Sequence, residues 1–306
     1  MVEKIYQIAI IIINYNSSKY TINCIRSIIE QTGASIQYKI VVIDNNSKPE
    51  DYAVLDQIKS YTNVHLFRSR INLGFSGGNM LGVQFVKAQY YYFLNNDCLL
   101  LNDCLSILYN FCERHPQAGL CSGQMYDENL HSQPTFDYFP TLATKLLGID
   151  LLRLLNPANY PAKETNYKQP LKVDLLSGSS LFIRSSVFDK IGGFDTTYFL
   201  YCEEEDIAIR LLKQGYQTYL VQEARYQHLG GKSTDFNLLI HKEFYISFLY
   251  FYKKHYGSFN TKILQLFLFI KLLRKVIRHQ NNAKLAFFVL SGAPLEKSLR
   301  HKQKVA

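Results

Sequence analysis

The chain has 306 residues, 47% of them hydrophobic, and a formal net charge of +9. That length and apolar content can bury a full core and exclude a disordered chain. The charge is uneven: residues 240–306 carry 13 Lys and Arg against 2 Asp and Glu, whereas the first 239 carry 21 against 23, so the basicity belongs to the tail. A nucleic-acid binder could be built that way, but the tail is also rich in Phe, Leu and Ile, which favours a membrane surface over nucleic acid.

From the N-terminus, Ile8 to Ile13 form a continuous apolar run, as expected of a strand buried on both faces. With no small-residue cleavage site, this run reads as the first strand of a sheet and not as a signal peptide. Ser17 and Ser18 offer N-caps to a helix with Ile22, Ile25 and Ile29 on one face. Lys39 to Ile43 make a second strand, closed by the turn formers Asp44, Asn45, Asn46 and Ser47. A helix over about 50–60, a strand over 64–67, a glycine-rich turn, a helix over about 77–88 and a strand over 90–94 follow. This alternation predicts an α/β fold, a mostly parallel mixed sheet with helices on both faces. Ligands of such sheets bind beyond the carboxyl ends of the strands, where Asn14 to Asn16, Asp44 to Ser47 and Asn95 to Asp97 fall.

Between about 122 and 172 the periodicity fades and Pro134, Pro140, Pro157, Pro161 and Pro170 accumulate, a long excursion suited to substrate contact. A strand over 179–184, a helix from Ser185 or Ser186, a helix over 203–214 ended by Gly215 and a strand over 218–221 restore regular structure. Two further helices are expected over 236–256 and 261–279, so the chain divides into a domain over 1–235 and a basic helical extension over 236–306. The six cysteines show no CxxC pair and no metal-ligand spacing, which points to reduced packing thiols in a cytoplasmic setting. In the tail, Lys271, Arg274, Lys275 and Arg278 share one arc of a helix, and Leu266, Phe269, Leu273 and Val276 face the other way. The apolar stretch is too short to span a bilayer. An interfacial helix on an anionic inner membrane surface is expected, with a domain-closing helix of solvated basic face as the alternative.

Two acidic strings carry the chemistry: FLNND, ending at Asp97, and YCEEED, with Glu203, Glu204, Glu205 and Asp206 at the head of a helix pattern. Together with IIINYN, VVIDNNS, NLGFSGGNMLG, GGFD and HLGGKS, they resemble the family-2 glycosyltransferases, and more narrowly their rhamnosyltransferase-like bacterial branch. The resemblance implies a GT-A fold, a nucleotide-diphosphate sugar donor (dTDP- or UDP-linked), a glycan or lipid-linked acceptor, inversion at the anomeric carbon and a Mg2+ or Mn2+ ion. By it, Asp44 accepts from the base, flanked by Asn14, Tyr15 and Asn16, with an Asx-turn as the structural alternative for Asp44. Asn72, Gly74, Gly78 and Asn79 line the nucleotide, with Asn96 beside it, while Asp97 ligates the metal and His228 adds a third ligand or a phosphate contact. Glu204 is the favoured general base, with Glu203 beside it and the register open within the glutamate run. Asp206 orients Arg210 or caps the helix. A helix N-terminus stabilised by acids is the structural alternative for the cluster. A sugar-nucleotide-binding scaffold with lost catalysis is the rival function.

Overall fold

The structure is a computed structural model that describes residues 5–163, 167–230, 237–276 and 280–303. Its frame opens with strand β1 (Ile5–Asn14), helix α1 (Ser18–Gln31), strand β2 (Tyr38–Asp44), helix α2 (Pro49–Val54), strand β3 (Val64–Arg68), helix α3 (Gly74–Gly82) and strand β4 (Lys87–Leu94). β1 lies between β2 and β4, parallel to both, and β3 extends the parallel edge. The apolar run thus becomes a central strand, with Ile8 to Ile12 fully buried.

Three short elements depart from the sequence reading. The helix expected over 50–60 is α2 followed by a 3-10 stretch, Leu55–Ser60. The glycine-rich turn is itself helix α3, which ends at Gly82, well before residue 88. Its glycines explain this: a Cβ on Gly78 would stand 2.9 Å from Ile13 Cδ1, and one on Gly82 2.5 Å from Ile11 Cγ2, so the bare face presses onto β1. At α1 the cap comes from Asp51, whose Oδ1 accepts from the Ser18 N–H. Ser17 is unavailable because its hydroxyl is engaged with Asn96 and Tyr15. The buried helix face uses Ile28, and Ile29 is only half-buried.

The chain continues through β5 (Cys98–Leu100), α4 (Cys104–Arg114), β6 (Ala118–Tyr126), β7 (Phe136–Asp137), α5 (Leu142–Leu146), α6 (Ile149–Leu155), β8 (Leu171–Val173), β9 (Leu175–Leu176), β10 (Ser180–Arg184), α7 (Ser185–Lys190), α8 (Glu203–Lys213) and β11 (Gln217–His228). The main sheet runs β3-β2-β1-β4-β10-β6-β11-β5, with β8 beside β11, while β7 and β9 form a separate pair. β10 is antiparallel to both neighbours. The excursion is thus a set of short elements, of which β8 joins the main sheet beside β11 and β7 pairs with β9 apart from it.

Asn237 caps helix α9 (Leu238–Arg274) by accepting from the Leu239 and Ile240 N–H groups. Gly257 (φ 81°) breaks it into two halves, matching the two helices expected, and α10 (Asn281–Leu290) is added. Ile246, Leu249, Tyr252, Leu264 and Leu285 share a core with Tyr198, Cys202 and Ile209. Arg278 lies outside the described residues. In the second half, Leu264, Leu268 and Leu272 face the core, whereas Leu266, 55% exposed, and Leu273, 38% exposed, lie on the outer face. No helix among the described residues is long and apolar enough to cross a membrane. All six cysteines are buried and unpaired.

Candidate active site

The carboxyl ends of β1, β2 and β4 meet because these strands adjoin. Asn14 ties them together: its Nδ2 donates to Asp44 Oδ1 at 2.9 Å and to Ser47 Oγ at 3.0 Å. Its Oδ1 accepts from Thr21 Oγ1 at 2.7 Å, and Asn96 Nδ2 donates to Thr21 Oγ1 at 2.9 Å and to Ser17 Oγ at 2.6 Å. One polar chain thus runs from the Asn95 to Asp97 loop to the end of β2. Buried amides at a sheet end must be satisfied in this way.

Asp44 is fully buried. Its Oδ2 accepts from the Ser47 N–H at 3.2 Å, three residues on, and lies 3.4 Å from Arg68 Nε. Arg68 stacks over Tyr52, 4.3 Å from the ring centroid. Tyr15 and Asn16 are exposed beside this floor, with Asn16 in the left-handed region at φ 53°. Sequence reading missed two residues here. Asp51 holds both Asn14 and α1. Asn45 is buried, donates to the Gly74 carbonyl at 2.9 Å and has an Oδ1 without any donor; its place among four turn formers concealed it.

Asn72 Oδ1 accepts from the Gly74 N–H and starts α3. Gly74 takes φ 72°, and a Cβ there would fall 2.1 Å from the Phe199 carbonyl oxygen, which also accepts from the Phe75 N–H. Asn79, buried, donates to the Phe75 carbonyl. Gly74 therefore meets the segment leading into α8, and Gly78 makes room for Asn45 as well as Ile13.

At the end of β4, Asp97 is 3% exposed and its Oδ1 lies 3.2 Å from His228 Nε2. The pairing of β5 with β11 sets Cys98 opposite His228, and the donor atoms of Asp97, Cys98 and His228 lie within 4.8 Å of one another. Cys98 fits a metal poorly. Burial, reinforced by Asp97, pushes its thiol well above the usual range, and Sγ donates to the Ser179 carbonyl. The remaining carboxylate and imidazole fit a divalent cation that takes its other ligands from phosphate oxygens. Gly230 follows in a left-handed turn, and Gly231 and Ser233 lie outside the described residues.

The second acidic string sits across the Ser177 to Ser179 turn. Tyr201 and Cys202 both have positive φ, 76° and 67°, and swing the chain into α8. Glu204 and Glu205 line a cavity of about 230 Å³ whose wall is Phe136, Asp137, Lys163 and Ser177. Burial raises the Glu204 pKa, against hydrogen bonds from Glu205 and the Gly178 backbone that favour its charged form. Burial and then Glu204 push Glu205 well above the carboxylate range. Glu203 does not line this cavity. It is 3% exposed, its Oε1 lacks a partner, and burial, then Glu204, hold it well above its ordinary value, with Glu243 of α9 also felt.

Asp206 has a structural place. Arg210 donates to its Oδ2 at 2.7 Å, and Lys254 and His255 of α9 approach Oδ1 at 2.6 and 2.7 Å. Burial would raise its pKa, but His255, Arg210 and Lys254 outweigh that and hold it below the usual value. Lys254 also reaches Asp195 of the GGFD string at 2.7 Å. Burial opposes ionisation of Asp195 too, yet Lys254, Thr197 and Tyr250 bring it down to about 2.

Four likenesses to known proteins bear on this geometry. Residues 9–192 match the family described as glycosyl transferase family 2. The chain is 30% identical over 223 residues to the rhamnosyltransferase WbbL of Escherichia coli strain K12, covering 69% of this chain and 79% of that protein. It is 44% identical over 62 residues, 20% of each chain, to an N-acetylglucosaminyl-diphospho-decaprenol L-rhamnosyltransferase of Mycobacterium tuberculosis. A crystal structure of GalNAc-T7 with UDP, GalNAc and Mn2+ superposes with a TM-score of 0.59 at 16% identity, over 76% of this chain and 45% of that one. The fold is GT-A-like, as the sequence resemblance implied.

Proposed function

This chain belongs to glycosyl transferase family 2, and from that premise we propose that it is a metal-dependent inverting enzyme of bacterial surface polysaccharide synthesis. The donor is a dTDP- or UDP-sugar, and rhamnose is the favoured sugar because two of its relatives are rhamnosyltransferases. The acceptor is a glycan, lipid-linked in this reading, which sets the enzyme at the cytoplasmic face of an anionic membrane. The observation that supports it most is the meeting of two carboxylate sites across one short turn. Ser179 receives the Asn95 N–H on the Asp97 side, and Gly178 abuts Glu204 on the other.

In this reading Asp97 and His228 would hold Mg2+ or Mn2+, which when bound supplies positive charge for the departing diphosphate. Asn14, Tyr15, Asn16 and Asp44 border the nucleoside, with Asn72, Gly74, Gly78, Asn79 and Asn96 shaping the walls. Glu204 takes the proton of the acceptor hydroxyl as that oxygen bonds to the anomeric carbon from the face opposite the leaving group. The bond from that carbon to the diphosphate oxygen breaks, and its electron pair leaves with the nucleoside diphosphate. Glu205 shares the cavity and tunes Glu204, while Glu203 is assigned to the α8–α9 interior.

Transfer from nucleotide sugars to a soluble acceptor tests the reading, with wild type active and Glu204→Gln and Asp97→Ala inactive. Equal activity in those variants would sink the residue roles. Nucleoside diphosphate binding without transfer from any donor would identify a sugar-nucleotide-binding scaffold instead.

A further inference from the structure

We propose that the second half of α9, with α10, docks on an anionic lipid bilayer through an apolar stripe made of Phe259, Ile263, Leu266, Ile270 and Leu273. The proposal deepens the functional reading above and rests on it for the lipid-linked acceptor. The five residues recur at steps of four and three, which line one face of a helix with 3.6 residues per turn. All five are exposed, from 36% at Ile263 to 78% at Phe259. The face opposite them, with Thr261, Leu264, Leu268 and Leu272, is buried against the protein. This helix is therefore apolar on two faces, and the fold covers only one.

α10 widens the patch. Phe287 is 62% exposed and Leu290 44%, and the Phe269 and Phe287 rings meet edge to face at 5.8 Å. Contiguous apolar surface of this kind marks an interaction site. Its rim names the partner. Lys262, Lys271, Arg274, Lys275 and Lys284 are exposed, and none pairs with a carboxylate among the described residues. A second copy of the chain would set these cations against like charge. The acids of residues 240–306 are Glu296 and Glu243, the latter buried and bonded to Ser298 and Leu299. An anionic headgroup layer over an acyl interior satisfies cations and stripe at once.

Flotation of the full chain with phosphatidylcholine vesicles, with and without phosphatidylglycerol, tests the proposal. Strong, salt-sensitive binding to the anionic vesicles and weak binding to neutral ones is expected. Phe259→Gln combined with Leu266→Gln abolishes it, and Lys262→Gln with Arg274→Gln weakens it, at about fivefold per removed cation. These positions are solvent-exposed, so retained circular dichroism and nucleoside diphosphate binding establish that the variants fold. Failure to float, a vesicle-independent dimer abolished by the stripe variant, or binding lost only on replacing the exposed Leu154 and Leu155 of α6 would each overturn it. Transfer to a soluble acceptor is read separately, so loss of flotation with transfer intact indicts the docking surface alone.

Discussion

Gly178 and Glu204 are fitted to each other: a methyl group on Gly178 would stand 3.1 Å from Glu204 Oε1, and the Gly178 backbone bonds the same carboxyl and favours its ionised form. Glu204→Gln lowers kcat by about a hundredfold or more, as loss of a general base does, and leaves nucleoside diphosphate binding in place. Gly178→Ala displaces the carboxylate and lowers kcat by about tenfold, on the scale of a small misplacement of a reacting group. Steady-state transfer kinetics and titration calorimetry separate the two effects.

The pH dependence follows from the direction of the Glu204 shift. A base works ionised, and a pKa raised above 4.5 moves the acid limb of kcat/KM to higher pH than an ordinary glutamate gives. Glu205→Gln removes a carboxyl whose proton is shared with Glu204, and the acid limb shifts. A profile with its limb in the unperturbed glutamate range would remove Glu204 from the role.

Asp97→Asn and His228→Ala each weaken nucleoside diphosphate binding in the presence of manganese by about tenfold to a hundredfold, the usual range for disturbed metal ligation. Thermal shift with and without the ion reads this out. Chelator has little effect on either variant and a large one on wild type.

Stability against pH separates two kinds of buried acid. Asp195 and Asp206 have depressed folded-state values, so their contribution is present above pH 3.8 and lost as pH falls toward the folded value, about 2 for Asp195. Glu203 is raised, so its contribution is present below pH 4.5 and lost as pH rises through its folded value. Glu203→Gln therefore raises the urea midpoint at neutral pH and has no such benefit at pH 4. Asp206→Asn leaves Arg210, Lys254 and His255 without their shared carboxylate and costs about 3–5 kcal/mol at neutral pH.

Gly74→Ala combines a left-handed φ of 72° with a Cβ 2.1 Å from the Phe199 carbonyl oxygen. Stability falls by more than about 1 kcal/mol, and the contact between α3 and the approach to α8 is lost. Denaturant titration gives the first, and a drop in donor affinity reports the second.

Much of the fold was legible in sequence because the apolar runs Ile8 to Ile13 and Lys39 to Ile43 can sit only in a doubly covered sheet. The ends of those strands, and hence the Asn14 and Asp44 loops, follow directly. The NLGFSGGN segment misled because glycine carries two meanings: freedom to turn and freedom to pack. Gly78 and Gly82 serve the second, and only a neighbouring strand distinguishes them. The glutamate run defeated register for a similar reason. Three identical side chains on one helical turn point in different directions, and periodicity alone cannot say that Glu204 and Glu205, and not Glu203, meet a cavity built by β7 and β9. The orientation of the tail, apolar arc toward a membrane or toward the domain, stayed open because a helix with two apolar faces has no single preferred orientation until the core chooses one.

The reversed strand β10 has a consequence for how such a chain can change. On the proposed assignment, what grips the donor is written in the first hundred residues apart from His228, and what shapes the cavity around Glu204 is written largely between β6 and β10. In the sheet β1 to β4 stay together and β10 and β6 lie beside them, with only the short β5 carried to the far edge. A lineage can therefore exchange the acceptor-facing stretch as one cassette while inheriting the nucleotide grip unaltered, and new linkages become accessible by recombination at two strand ends.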